Sequence, residues 1–221
     1  MRALKVIQQR RDATRDQVRS ELVRLFLADP SEQGTTHAVG RAYALLDTEA
    51  RRVLAAIPGS GPACAPGCSF CCHVHADATM PELLTVATAL RRTLSPEALD
   101  TLRQRLASHV ARVEQLDDQA RWDARIPCAF LGDGGRCSIY EVRPLRCRAF
   151  HSWSATACRA GYEGDLEAEP VVNPRLDQAL AAIEEGFDQA LGEAGLSAGA
   201  HRLESGVLRL LSREAPTPPA R

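Results

Sequence analysis

The stretch Cys64-Ala-Pro-Gly-Cys-Ser-Phe-Cys-Cys72 packs four thiols into nine residues, and four more, Cys128, Cys137, Cys147 and Cys158, follow further along at intervals of about ten residues. Thiols grouped this tightly serve disulfides, redox catalysis or a metal. A long helical stretch separates the two groups, so a site built from both staples distant segments together, which favours a metal. The loop begins directly after Pro58-Gly-Ser-Gly-Pro62, a run that no helix survives. The cysteines therefore lie on irregular backbone between helices, and the expected fold is mainly α, with helices packed around a Cys-rich metal-binding core and a short β-hairpin.

Upstream, Leu22, Leu25, Phe26 and Leu27 keep a helical period that stops at Asp29-Pro30, and Val39, Tyr43, Leu46, Val53, Leu54 and Ile57 carry a second helix. Downstream, Thr79 and Glu82 are spaced as a capping box before the stripe Leu83, Val86, Ala87, Leu90. Ser95-Pro96 opens another helix with Leu99, Leu102, Leu106, Val110, Val113 and Leu116 on one face. These two helices are expected to pair as an antiparallel hairpin.

The second group starts at Ile126-Pro-Cys128, and Gly132-Asp-Gly-Gly135 between short apolar runs predicts the β-hairpin or knuckle. Tyr140 to Val142 reads as a helical turn ended by Pro144. Asn173-Pro174 caps a last long helix with Leu176, Leu180, Ile183, Phe187 and Leu191 on one face, a short helix follows from Val207 to Leu211, and Pro216 to Arg221 is a frayed tail. The expected organisation is an N-terminal helical region over 1–57, a cysteine-cluster domain over 58–165 and a C-terminal helical region over 166–221, together one compact unit.

The 221 residues carry 27 basic and 28 acidic side chains, a balance without the basic field that tracks a phosphate backbone, so nucleic acid is not an expected partner. No run of about 18 apolar residues spans a membrane. The start of the chain lacks a secretory h-region, which points to the cytoplasm, where thiols stay reduced and disulfides are rare. Arg supplies almost all of the positive charge and Ala is abundant, a composition expected of a GC-rich bacterial genome.

All eight cysteines are candidate metal ligands, with Zn2+ or iron, including a [4Fe-4S] cluster, as the ion held. Eight thiols exceed the four that one zinc takes. Adjacent side chains on extended backbone diverge, so Cys71 and Cys72 suit two metal atoms, or one ligates while the other packs. His73, His75 and His151 lie within reach of the cysteines as further ligands or as hydrogen-bond donors to thiolates; His37, His109 and His201 belong to solvent or core. Arg143, Arg146 and Arg148 flank Cys147, either offsetting thiolate charge or forming a solvated basic turn. Asp77, Glu82 and Asp133 are the nearby carboxylates, either an enzyme's acid or base or simply solvated.

Cys64-x3-Cys68-x-Phe70-Cys71 also matches the three-cysteine signature of radical S-adenosylmethionine enzymes, but those place the loop after a strand of an α/β barrel, and helices flank it here. Three functional classes follow: a metal-binding module, an iron-sulfur redox or sensor protein, and a metal- or cluster-dependent enzyme.

The run Pro127-Cys128 through Cys137-Ser-Ile-Tyr-Glu-Val-Arg-Pro-Leu-Arg-Cys147-Arg, with Cys-x3-Cys-x2-Cys-Cys before it, resembles the bacterial cysteine-cluster (CxxCxxCC-type) family of zinc- or iron-chelating domains. The likeness covers Cys64 to Cys158, with one more residue between Cys64 and Cys68 than the family spacing. It implies a metal site whose ligands fall on Cys64, Cys68, Cys71, Cys72, Cys128, Cys137 and Cys147, with Cys158 as an extra. Because the loops carry few apolar residues, metal removal is expected to loosen Cys64 to His75 and Ile126 to Cys158 while the long helices persist.

Overall fold

The structure is a computed structural model that describes residues 2–212; the tail from Pro216 to Arg221 lies outside the described residues. Its elements are α1 (Arg2–Ala28), α2 (Glu32–Leu54), β1 (Asp77–Ala78), α3 (Met80–Thr93), α4 (Pro96–Val113), α5 (Asp118–Asp123), α6 (Leu145–Ala149), α7 (Ala155–Glu163), α8 (Pro174–Glu193), β2 (His201–Arg202) and α9 (Leu203–Ser212). The fold is mainly α, as the periodicities predict.

Two cores flank the cysteine loops. In the first, α1 presents Val18, Leu22 and Phe26 at four-residue spacing to α8, which buries Leu176, Leu180, Ile183 and Phe187, and α2 closes it with Val39, Tyr43 and Leu46. Each such side chain contributes roughly 1.5–3 kcal/mol by leaving water. The caps are local chemistry: Ser31 Oγ accepts from the Gly34 amide at 3.1 Å, and Asn173 Oδ1 from the Arg175 amide at 3.0 Å, with Pro174 at the first helical position. At Gly186 a Cβ would stand 2.6 Å from the Arg15 carbonyl oxygen, so glycine is what lets α8 approach α1.

The second core joins Leu83, Val86 and Leu90 of α3, Leu102 and Leu106 of α4, and Leu203, Val207 and Leu211 of α9. The capping box at Thr79 forms, Glu82 accepting from the Thr79 amide at 2.8 Å. The expected α3–α4 hairpin does not form as a pair, because α9 packs against both helices. An apolar stripe reports that a face is buried, not which helix covers it. The β structure is short: β1 and β2 pair antiparallel, Asp77 with Arg202 and Ala78 with His201, which sews the start of α9 to the chain just past the first cysteines. The turn at the second cysteine group is reduced to one antiparallel bridge, Leu131 with Cys137, around a 3-10 turn at Asp133–Gly135. Among the described residues, no helix is long and apolar enough to cross a membrane.

Candidate metal centre

The first loop is laid along the segment after α6: the Ser152 carbonyl accepts from the Ala63 amide at 2.8 Å and from the Cys64 thiol at 3.9 Å. Pro66-Gly67 then turns the chain, with Gly67 at φ 92° and the Cys68 amide bonded to Ala65 O at 2.9 Å, and a 3-10 turn at Phe70–His73 carries Cys71 and Cys72. Two contacts bring the second loop against it. The Cys128 amide donates to Cys72 O at 2.6 Å, and the glycine turn at Gly134-Gly135 meets the turn at Gly67. Cys147 arrives on α6 and Cys158 on α7, whose Tyr162 ring packs on Phe70 and His73 at 5.6 and 4.7 Å.

All eight cysteines are free. The sulfurs oppose one another's ionisation. Cys71 is raised first by the adjacent Cys72 thiol, then by partial desolvation. Cys64, although exposed, is raised by partial desolvation of its sulfur, to which negative charge on Cys68, Cys71 and Cys158 adds. Cys147 is pushed up to about 12 by burial and by Cys71 and Cys137, and Cys128 is raised by burial and Glu204. Thiols that resist becoming thiolates one by one are the donor set that a bound cation reverses, because the cation's charge stabilises every thiolate at once. Among the described residues no three Cys, His, Asp or Glu side chains already stand as a closed ligand set. The donor chemistry fits a thiophilic metal such as zinc or iron.

Residues 63–169 match the CxxCxxCC family, described as "Putative zinc- or iron-chelating domain". This segment belongs to the CxxCxxCC family. No curated protein and no solved structure matches the chain. The CxxCxxCC segment has both cysteine groups inside it and α1, α2, α8 and α9 outside it.

Within the CxxCxxCC segment the histidines differ. His75 has both ring nitrogens engaged: Nε2 donates to Leu116 O at 3.2 Å, leaving Nδ1 to accept from Arg121 at 2.8 Å. The buried His73 ring donates from Nδ1 to Ser69 O at 3.1 Å and faces the Tyr162 hydroxyl with Nε2 at 3.5 Å. His151 donates from Nδ1 to Ala149 O at 2.9 Å, and its buried Nε2 has no partner.

The three arginines also divide. Only Arg143 opposes the rise at Cys71, Cys137 and Cys147. Arg146 offsets the half-buried Glu184 and the exposed Asp188, and Arg148 binds Asp47 at 2.8 Å and lies over the Tyr43 ring. Of the carboxylates, Glu82 is committed to structure, one oxygen taking the Thr79 amide and the other the Leu145 amide at 2.8 Å; Asp77 pairs with Arg202, and Asp133 is exposed.

The loops are unequally anchored. Contrary to the expectation of few apolar anchors, the second buries Phe130, Ile139 and Leu145, while no apolar residue of the first, Cys64 to Cys72, is fully buried. Sequence reasoning missed Arg121 and Glu204, a fully buried pair linked at 2.7 Å. No spacing rule marks a buried Arg in the charged run Asp117-Asp-Gln-Ala-Arg-Trp-Asp.

Proposed function

We propose that the chain holds zinc or iron through thiolates of Cys64, Cys68, Cys71, Cys72, Cys128, Cys137, Cys147 and Cys158, in a reducing, cytoplasmic setting. The carrying observation is the mutual opposition of Cys64, Cys71, Cys128, Cys137 and Cys147 to ionisation, together with the seam between the two loops. Thiols brought together and kept protonated in the metal-free protein release their protons on metal uptake, which makes affinity depend on pH. The bound ion supplies charge neutralisation and a cross-link between segments that are 56 residues apart at Cys72 and Cys128. Arg143 is placed to lower the cost of the thiolates nearest it.

A second reading, an iron-sulfur redox or sensor centre, is favoured by one observation: Cys71 is raised by its neighbour Cys72, and its own charge in turn raises Cys64, Cys137 and Cys147. A thiol shared this widely suits a centre of several metal atoms. Anaerobic purification followed by elemental analysis and a visible spectrum on one sample decides. Stoichiometric zinc in colourless protein supports the thiolate zinc site. Iron with acid-labile sulfide and absorption near roughly 400 nm selects the cluster. Protein free of both metals when grown with each in excess would refute the reading.

A further inference from the structure

Arg121 is wholly buried and Glu204 is 2% exposed, and both lie outside the thiol set. The Arg121 guanidinium divides its donors three ways: Nη2 to Glu204 Oε1 at 2.7 Å, Nη1 to His75 Nδ1 at 2.8 Å, and Nε to the Ile126 carbonyl oxygen at 3.4 Å. His75 is three residues past Cys72, and Ile126 is two residues before Cys128. These are the limbs that meet in the 2.6 Å hydrogen bond from the Cys128 amide to Cys72 O. The carboxylate end is fixed as well. The Leu203 amide donates to Ala76 O at 2.8 Å, and the β1–β2 pair holds residue 202 beside residue 77. His109 Nε2 stands 3.3 Å from the same Glu204 oxygen, at ion-pair distance but not aligned as a hydrogen bond.

A buried guanidinium needs its donors satisfied, and simple satisfaction requires no particular acceptors. Here two of the three lie on the flanks of the two cysteine loops, and the third lies on a helix beyond residue 169, where the CxxCxxCC segment ends. We propose that Arg121, held by Glu204, is a positioning residue for the metal centre, and that α9 is therefore a working part of that centre. The clamp sets the separation of the Cys72 and Cys128 limbs before metal arrives. Ordering that is complete beforehand is not subtracted from the binding free energy, so affinity is higher with the clamp than without it. The inference rests on the reading that the thiols hold a metal.

The test is cobalt(II) affinity of the reduced full-length chain, by competition with a chelator under anaerobic conditions. Wild type is compared with Arg121→Met/Glu204→Met, Arg121→Lys and Phe187→Leu. The double variant removes both charges and replaces them with apolar side chains, a change that buried ion pairs tolerate. It also removes the contacts to His75 and Ile126. The proposal expects about tenfold or greater loss of cobalt affinity, the scale seen when outer partners of a metal site are removed. The thiolate-to-cobalt absorption at saturation should keep its position, because the ligands are unchanged. Arg121→Lys retains a charge for Glu204 but cannot reach three acceptors, so it too should bind more weakly. Phe187→Leu lowers thermal stability from the other core and should leave affinity unmoved. Wild-type affinity in the folded double variant, or in Arg121→Lys should the double variant not fold, overturns the proposal. A wild-type chain that takes up no cobalt overturns the thiolate reading itself, and this proposal with it.

Discussion

Gly67 and Gly135 touch backbone to backbone: a Cβ on Gly135 would lie 2.6 Å from the Gly67 carbonyl oxygen, and Gly135 sits at φ 72°. Each glycine belongs to the turn inside one cysteine group, so this contact is where the two groups are pressed together. Gly134 has the same φ but open space where its Cβ would go. Gly134→Ala therefore carries only left-handed strain, about 1–2 kcal/mol. Gly135→Ala adds an overlap with backbone that cannot rotate away and parts the loops. Its urea midpoint should fall further than that of Gly134→Ala, and a competing chelator should strip its metal at a concentration the Gly134 variant withstands. Equal behaviour of the two would sink the claim that this seam assembles the site.

The half-buried Cys147 thiol sets a sign for alkaline pH. Cys147 is pushed up to about 12 in the folded protein, against about 8.5 when unfolded. The metal-free folded chain keeps protons that the unfolded chain has released, so its stability is fully present below about pH 8.5 and is lost as pH rises toward about 12. Urea unfolding of the reduced, chelator-treated protein should show a falling midpoint from about pH 8.5 upward. Metal affinity should move the other way over the same range, because bound thiols are deprotonated. A midpoint independent of pH through this window would contradict the raised Cys147 thiol.

Arg143 and Arg146 make a matched comparison, three residues apart with opposite surroundings. The Arg143 guanidinium lies 3.6 Å from the centre of the Tyr140 ring and opposes the upward shift of Cys71, Cys137 and Cys147. Arg146 instead faces Glu184 and Asp188, both raised by burial. In the metal-free chain, Arg143→Gln should slow reaction with a thiol reagent severalfold at mildly alkaline pH, since only thiolates react. Arg146→Gln should leave that rate within about twofold. The reverse ranking would mean that Arg143 is no more than a solvated turn residue.

What the sequence made legible is what local chemistry decides. Ser95, Asn173 and the Thr79–Glu82 spacing placed helix starts, because a cap is settled within four residues. The cysteine motif marked the segment that matches the family. Partners chosen across the fold were not legible. The stripe of Leu102 and Leu106 announced a buried face but not α9 as its cover. His75, two residues from His73, read as an equal candidate ligand until Arg121 took its Nδ1. Glu204 is one carboxylate among 28 acidic residues, and its partners His109 and Arg121 lie far from it in sequence.

That carboxylate yields the last prediction. Burial alone would push Glu204 up, but His109 and Arg121 overrule it and hold the group down at about 2. An unfolded Glu titrates near about 4.3. The folded state therefore binds the proton less readily, and the stability contributed is fully present above about pH 4.3 and is lost as pH falls through about 2. Glu204→Gln leaves the Arg121 charge buried beside a neutral amide, which should cost about 3–5 kcal/mol at neutral pH. Below the titration the comparison changes: the wild-type carboxyl is itself neutral, so the stability gap between the two proteins should narrow steadily between about pH 4.3 and about 2. Urea unfolding of both proteins across that range measures the gap directly. A gap that stays constant into acid would mean that Glu204 stabilises the fold by packing, and that its charge is not what holds Arg121 between the two cysteine loops.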